Sequence, residues 1–224
     1  YSEDKYYYDS ENALQRIDNS VVAAQTASGK TQYKNAANIF DVTFSSSGVP
    51  QIGISKQGKS ITFSPINVSS GKNDKINTAA IGKVENCAAL DRLTQTGSNT
   101  VSYKNAFAET DLVYVLENNA LKEYIILSSA DAPNTFHFLF DLDGVTLQTA
   151  DGVNAFVDDQ GETVFALGQL FAVDAAGEVT EALSYTFTPV KETSVIVTVT
   201  LDSAYLSSAE REFPVVIDPS IVIS

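Results

Sequence analysis

Methionine and tryptophan are absent from this chain of 224 residues, and cysteine and histidine occur once each. Each scarcity excludes something. Cys87 has no second cysteine with which to form an intrachain disulfide. A zinc site takes three or four ligands, mostly His and Cys, and only Cys87 and His137 are available. A Ser-His-Asp triad would have to use His137, which lies between Phe136 and Phe138 and reads as an ordinary strand residue. A Cys87–His137 pair has no recognisable spacing. No apolar run approaches the roughly 18 residues of a membrane-crossing helix, "LVYVL" and "YIIL" being the strongest. The "SGK" triplets at 28–30 and 70–72 lack the pattern of a phosphate loop. With neither an initiating Met nor a signal peptide, the chain is expected to be a processed or excised piece.

Positive charge is scarce in one half only. Residues 1–105 hold 11 Lys/Arg and 9 Asp/Glu, whereas residues 106–224 hold 3 Lys/Arg and 19 Asp/Glu. The second half thus accounts for the whole formal charge of −14. An acidic surface of that size repels phosphates and anionic headgroups, so neither nucleic acid nor a membrane is an expected partner. The same surface keeps a protein soluble and attracts divalent cations or basic partners.

What is present is alternation. Phe136, Phe138, Phe140 and Leu142 fall on one face of "FHFLFDL"; Val195, Val197, Val199 and Leu201 do the same further on. Leu183, Tyr185 and Phe187 repeat the pattern, as do Phe40, Val42 and Phe44, then Ile52/Ile54 and Ile61/Phe63. Asp143-Gly144, Asp151-Gly152, Gln160-Gly161 and Ala176-Gly177 supply turns, and "ENNA" (117–120) a further hairpin. The expected fold is all-β, an antiparallel β-sandwich with at most two short helices, at 85–93 and 203–211. One elongated module over 1–224 is the first reading. Because 67–80 resembles a linker, two lobes at 1–75 and 96–224 are the alternative. In the closing "REFPVVIDPSIVIS", prolines bracket a strand, as they do where a strand begins or lies at an edge. Val215 and Ile217 are expected to face the core and Val216 water.

Candidate sites are few. Tyr6, Tyr7 and Tyr8 belong to a tyrosine-rich start, and exposed aromatics stack on sugar rings. Asp141, Asp143, Asp158, Asp159 and Glu162 offer hard oxygen ligands on loops, so calcium is the candidate ion, without EF-hand spacing. The same acids could be a glycosidase pair only if they faced each other across a cleft in unlike environments. Asn67-Val68-Ser69 is a formal glycosylation sequon. No catalytic residue and no obligate cofactor is expected.

Three stretches share an ordered series of motifs: "VSYKNAFAETDLVYVLENNALKEYIIL" (101–127), "VNAFVDDQGETVFALGQLFAVDAAGEV" (153–179) and "LDSAYLSSAEREFPVVIDPSI" (201–221). Together they resemble a block in large wall-associated, YD (RHS)-repeat-type secreted proteins of Gram-positive bacteria. Tyr103, Asn105, Phe107, Thr110, Asp111 and Leu112 match the start of that block, and Lys122-Glu123 a strand. Asp174 to Gly177 match a turn and Phe213 to Pro219 the ending. "RIDNSVV" (16–22) and "YKNAANIFDVTF" (33–44) match the preceding segment more loosely, and "ALGQLFAV" departs from the proline-rich strand expected before the turn. The resemblance implies a secreted, cell-surface or cell-wall β module upstream of repeats or a toxin-like C-terminus, and it brings no catalytic residues with it. Its role would be structural or adhesive, with other modules of the same polypeptide and cell-wall or host glycans as partners. A carbohydrate-binding module is the second reading, and a carboxylate-dependent enzyme acting on glycans the third.

Overall fold

Alternation becomes burial in the computed structural model, which describes residues 5–66 and 77–224. Phe136, Phe138, Phe140 and Leu142 are buried while Asp141 is exposed. Val195, Val197, Val199 and Leu201 are buried on the neighbouring strand. The fold is nearly all antiparallel β, as expected, and its two helices, Ala88–Asp91 and Ser203–Leu206, are single turns within the two predicted segments. Residues 67–76, most of the linker-like stretch and all of the sequon, lie outside the described residues, as does Tyr1.

Two large sheets carry the architecture. One has eight strands in the order Leu183–Lys191, Ser194–Leu201, Thr135–Asp143, Lys59–Ile66, Ile52–Lys56, Asp41–Ser45, Thr31–Ala37 and Asp18–Gln25. Strands from both ends of the chain thus pair within it, Thr135–Asp143 lying directly against Lys59–Ile66. The second sheet centres on Thr100–Phe107, Thr110–Leu116 and Ala120–Leu127, with Thr163–Leu167, Val153–Val157 and Thr146–Ala150 reached through Ile221–Ile223. Aromatic rings interlock between the sheets. Tyr114 lies 5.8 Å from Phe44 and 6.2 Å from Phe63, and Phe140 stacks on Phe156 at 5.8 Å. Offset and edge-on ring pairs add about 0.5–1.5 kcal/mol each beyond the area they bury.

Turns follow the residues that permit them. Asp151 and Gly152 both take positive φ (51° and 78°), as the hairpin between Thr146–Ala150 and Val153–Val157 requires. Such backbone twist matches that of the flanking strands.

The bracketed strand is not an edge. Val215–Asp218 pairs with Ala120–Leu127 on one side and with Phe171–Val173 on the other. After Pro219 the chain resumes as Ile221–Ile223, again against Ala120–Leu127, in register with the first piece (Ile125 opposite Ile217, Leu121 opposite Ile221). The outer face of this region is also covered. Val84, Cys87, Ala89 and Leu90 pack on Val113, Val115, Tyr124, Ile126, Val173 and Val216, forming a second, smaller core. Val216 therefore has 0% exposure, where alternation alone placed it in water. A sheet covered on both faces hides its period of two.

The segment leading into this strand is held by one carboxylate. Asp174 Oδ1 accepts the amides of Gly177 and Glu178, both at 2.9 Å, which closes the Asp174–Gly177 turn. Its Oδ2 accepts Arg211 Nη1 at 2.6 Å and the Glu212 amide at 3.3 Å. Arg211 donates from Nε to the Tyr205 carbonyl and lies 3.5 Å over the Tyr205 ring, whose hydroxyl donates to the Glu178 carbonyl. Burial acts to raise the Asp174 pKa, but the Glu178 amide, the Arg211 guanidinium and the Glu212 amide outweigh it and hold the carboxyl below its ordinary value.

Four outcomes are expected. Val216→Asp and Ile217→Asp should each lower stability by several kcal/mol in urea unfolding, since each buries an unpaired carboxylate. Val222→Asp, at a site 39% exposed, should change stability by about 0.5 kcal/mol or less. Asp174→Ala should cost about 3–5 kcal/mol at neutral pH, because Arg211 is left buried without its partner. Because folding lowers the Asp174 pKa, its contribution is complete above the ordinary Asp value and fades as pH falls through the folded one. The gap between parent and Asp174→Ala in urea midpoints should therefore shrink in acid.

Candidate functional site

Tyr6–Tyr8 forms a small hairpin of its own with Leu14–Arg16, Tyr6 lying opposite Arg16 and Tyr8 opposite Leu14. Tyr6 and Tyr8 are 57% and 64% exposed, while Tyr7 is half-buried. All three line a cleft of about 1160 Å³, together with Asn19, Lys56, Asn99 and Asn118. The polar side chains of this cleft bond to the protein itself. Asn38 donates to Asn19 Oδ1 (2.9 Å), Asn19 to Asn118 Oδ1 (3.0 Å) and Asn99 to the Leu116 carbonyl (3.0 Å). Lys56 Nζ donates to the Ser224 carbonyl. The cleft is a joint between segments whose polar groups satisfy one another.

The acids singled out for calcium fall into separate places. Asp141 and Asp143 are exposed on the Thr135–Asp143 strand, and Asp141 faces Lys191 at 3.9 Å. Asp158 Oδ1 accepts the amides of Gln160 and Glu162 and so shapes its turn. Asp159 faces Lys59 at 3.5 Å, and the lysine's charge lowers its pKa. Among the described residues, no three His, Cys, Asp or Glu side chains form a group that could hold a metal ion. His137 Nδ1 is hydrogen-bonded to Thr198 Oγ1 at 2.8 Å on the adjacent strand. Burial raises the Cys87 thiol's pKa, which keeps it protonated and a poor nucleophile.

Among the carboxyls, the strongest electrostatic perturbation lies elsewhere, at Glu123. On the Ala120–Leu127 strand, Glu123 shares the inner face with Leu121, Ile125 and Leu127, and it is 4% exposed. Tyr114 of the neighbouring strand donates its hydroxyl to Glu123 Oε1 at 2.7 Å. Burial, with the nearby Asp218 charge adding to it, pushes the carboxyl up to about 8 against the opposing pull of the Tyr114 bond. At neutral pH Glu123 is therefore mostly protonated. Lys122 points to the other face and pairs with Asp218 at 3.3 Å. Asp218 also accepts the amide and the hydroxyl of Ser220. A carboxyl near 8 suits proton transfer at neutral pH, but enclosure between the sheets keeps this one from any bulky substrate. Sequence pattern carried a signal for it: an acid in phase with the inward residues of "LKEYIIL".

The motif residues prove to be backbone fixers. Asn105 takes positive φ (52°) where the Thr100–Phe107 strand loses register, and its amide donates to Asp111 Oδ1 at 2.8 Å. Asp111 Oδ2 meets Lys104 at 2.6 Å, and Thr110 donates to the Ala108 carbonyl. Tyr103 donates its buried hydroxyl to the Ser45 carbonyl at 2.7 Å. Asn105, Asp111, Asp174 and Asp218 thus hold a bulge, a turn or a break in a ladder.

No known family profile matches this chain, and no solved structure matches it. It is similar to the tRNA(Glu)-specific nuclease WapA of Bacillus subtilis subsp. natto (strain BEST195), 32% identical over 137 residues. It is similar in the same measure to the tRNA3(Ser)-specific nuclease WapA of Bacillus spizizenii, and 31% identical to the tRNA nuclease WapA of Bacillus subtilis (strain 168). Each match covers 58% of this chain and 6% of the relative, so the shared stretch is a small part of those proteins. The names overturn the functional side of the resemblance. Proteins that share this stretch are named as tRNA nucleases, so the reading as a wall-associated module, its adhesive and carbohydrate-binding roles and its lack of enzymatic activity do not stand. The exclusion of nucleic acid falls with them. It rested on net charge, which limits the surface of this chain but says nothing of the substrates of relatives many times as long.

Proposed function

We propose that this chain is part of a nuclease that cleaves tRNA. The supporting observation is the 31–32% identity over 137 residues to three proteins named as tRNA nucleases. Cleaving a phosphodiester takes a base for the attacking oxygen, an acid for the leaving oxygen and fixed positive charge for the phosphoryl oxygens. The described residues of this chain do not assemble such a set in the open. His137 is bonded within its sheet, Cys87 is buried, and the one carboxyl poised near neutrality is enclosed. In this reading the chain is the folded two-sheet body of the enzyme, and the groups that attack tRNA belong to the rest of the polypeptide.

The test is tRNA cleavage by the polypeptide of the natural reading frame that contains residues 1–224. That polypeptide should cut a purified tRNA pool, seen as discrete fragments on a denaturing gel, and residues 1–224 alone should leave the pool intact. Cleavage by residues 1–224 alone would place the active groups here and refute the division of labour. Intact tRNA with the whole polypeptide would refute the nuclease reading itself.

A further inference from the structure

We propose that Glu123 makes the attachment of the two C-terminal strand pieces, Val215–Asp218 and Ile221–Ile223, proton-dependent: they stay docked while its carboxyl is neutral and loosen when it ionises. This inference does not depend on the nuclease reading.

The geometry centres on a break in a ladder. Val215–Ile217 pairs with Ile125–Leu127, and Ile221–Val222 with Ala120–Leu121. Between them the ladder with Ala120–Leu127 lapses opposite Lys122–Tyr124, although Asp218 still pairs with Phe171 on its other side. Asp218 turns its carboxylate back on Ser220, and the Ser220 carbonyl is taken by the Gly168 amide at 2.7 Å. Glu123 sits at the middle of this gap and points inward.

The groups around Glu123 favour its neutral form. From the adjacent strand comes the neutral Tyr114 hydroxyl. From the Val215–Asp218 strand comes the negative charge of Asp218, which raises the cost of a second one. From the opposite sheet comes Tyr185, its hydroxyl donated to the Gly168 carbonyl at 3.4 Å and its own pKa raised by burial and by both carboxyls. The cation closest in sequence, Lys122, is spent on Asp218. Among the described residues no cation forms an ion pair with Glu123. An ionised Glu123 would thus be a buried charge without a counter-ion, next to a ladder already interrupted. Opening the gap lets water reach it, at the loss of the short ladders that the two pieces share with Ala120–Leu127.

Because folding raises the Glu123 pKa from its ordinary value to about 8, the docked state binds a proton that the opened state releases. Its stabilising effect is complete below the ordinary Glu pKa. It fades as pH rises, and no further loss follows above about 8. The opening constant should climb by up to about tenfold per pH unit within that window.

The experiment is amide hydrogen exchange on residues 1–224 between pH 5.5 and 9, corrected for intrinsic rates. Amides of 215–217 and 221–223 should show the tenfold-per-unit climb and then level off, while amides of the Asp41–Ser45 and Ile52–Lys56 strands change far less. Glu123→Gln keeps the shape and the Tyr114 contact but cannot ionise, so the climb should vanish. Tyr114→Phe removes a bond that favours the charged form, so the climb should extend to higher pH. The proposal fails if the parent shows no slope, if Glu123→Gln keeps it, or if all strands open together. Should Glu123→Gln not fold, the parent profile and the Tyr114→Phe displacement decide alone.

Discussion

Burial of one strand on both faces is the constraint on which the rest of this fold depends. Ala120–Leu127 pairs along its whole length with Thr110–Leu116, and it receives both C-terminal pieces on its other side. Its inner residues meet the aromatic core between the sheets; Tyr124 and Ile126 meet the small core under residues 84–93. With water excluded from both faces, every polar group there must find a partner within the protein. Glu123 finds Tyr114, and Asp218 finds Lys122 and Ser220. The ion pair and the protonated acid are thus two answers to one demand. The pair keeps its charges because Lys122 still reaches solvent; the acid discards its charge because, among the described residues, no cation pairs with it.

The same constraint explains the apparatus between residues 174 and 214. A central strand has to enter the sheet at a fixed height and angle, since it pairs on both sides. Asp174 achieves this by binding a turn on one side and Arg211 and Glu212 on the other, just before the strand begins. Stacking of Arg211 on Tyr205 ties in the short helical turn Ser203–Leu206 as well. One enclosed carboxylate thereby fixes a turn, a helical turn and the entry of a strand.

The features legible in the sequence are those fixed by near neighbours. Phe136–Leu142 and Val195–Leu201 each place their large apolar residues on one buried face and smaller or polar ones mostly on a less buried face, so period two was visible and correct. Asp151-Gly152 is a local turn preference, and it holds. Val216 was misread because its cover comes from residues 84–93, more than a hundred positions earlier, and nothing near Val216 announces it. The Asp174–Arg211 pair spans 37 positions and was invisible for the same reason. Glu123 was legible in principle, as an acid in phase with Leu121 and Ile125, but it was passed over as half of a Lys-Glu motif. Tyr6–Tyr8 stood out in the sequence as a cluster of aromatics, which says nothing of Asn19, Asn38 and Asn118 beside them, engaged with one another.

Why the resemblance gave a sound fold and an unsound function follows from what its residues do. Asn105, Asp111, Asp174 and Asp218 are polar residues of the kind usually taken to mark a site, and each is occupied with backbone amides or a neighbouring side chain. A sequence series of this sort specifies bulges, turns and ladder breaks, which is to say a shape. Shape restricts chemistry very little, because sites are grafted onto folds and one fold hosts many activities. Net charge was no better a guide, since the acidic half records how this chain is solvated and not what the far longer relatives act on. The named relatives alone support tRNA as the substrate, whereas proton-dependent docking follows from the enclosure of Glu123 between the sheets and its raised pKa. Neither borrows strength from the other, and so each can fail by itself.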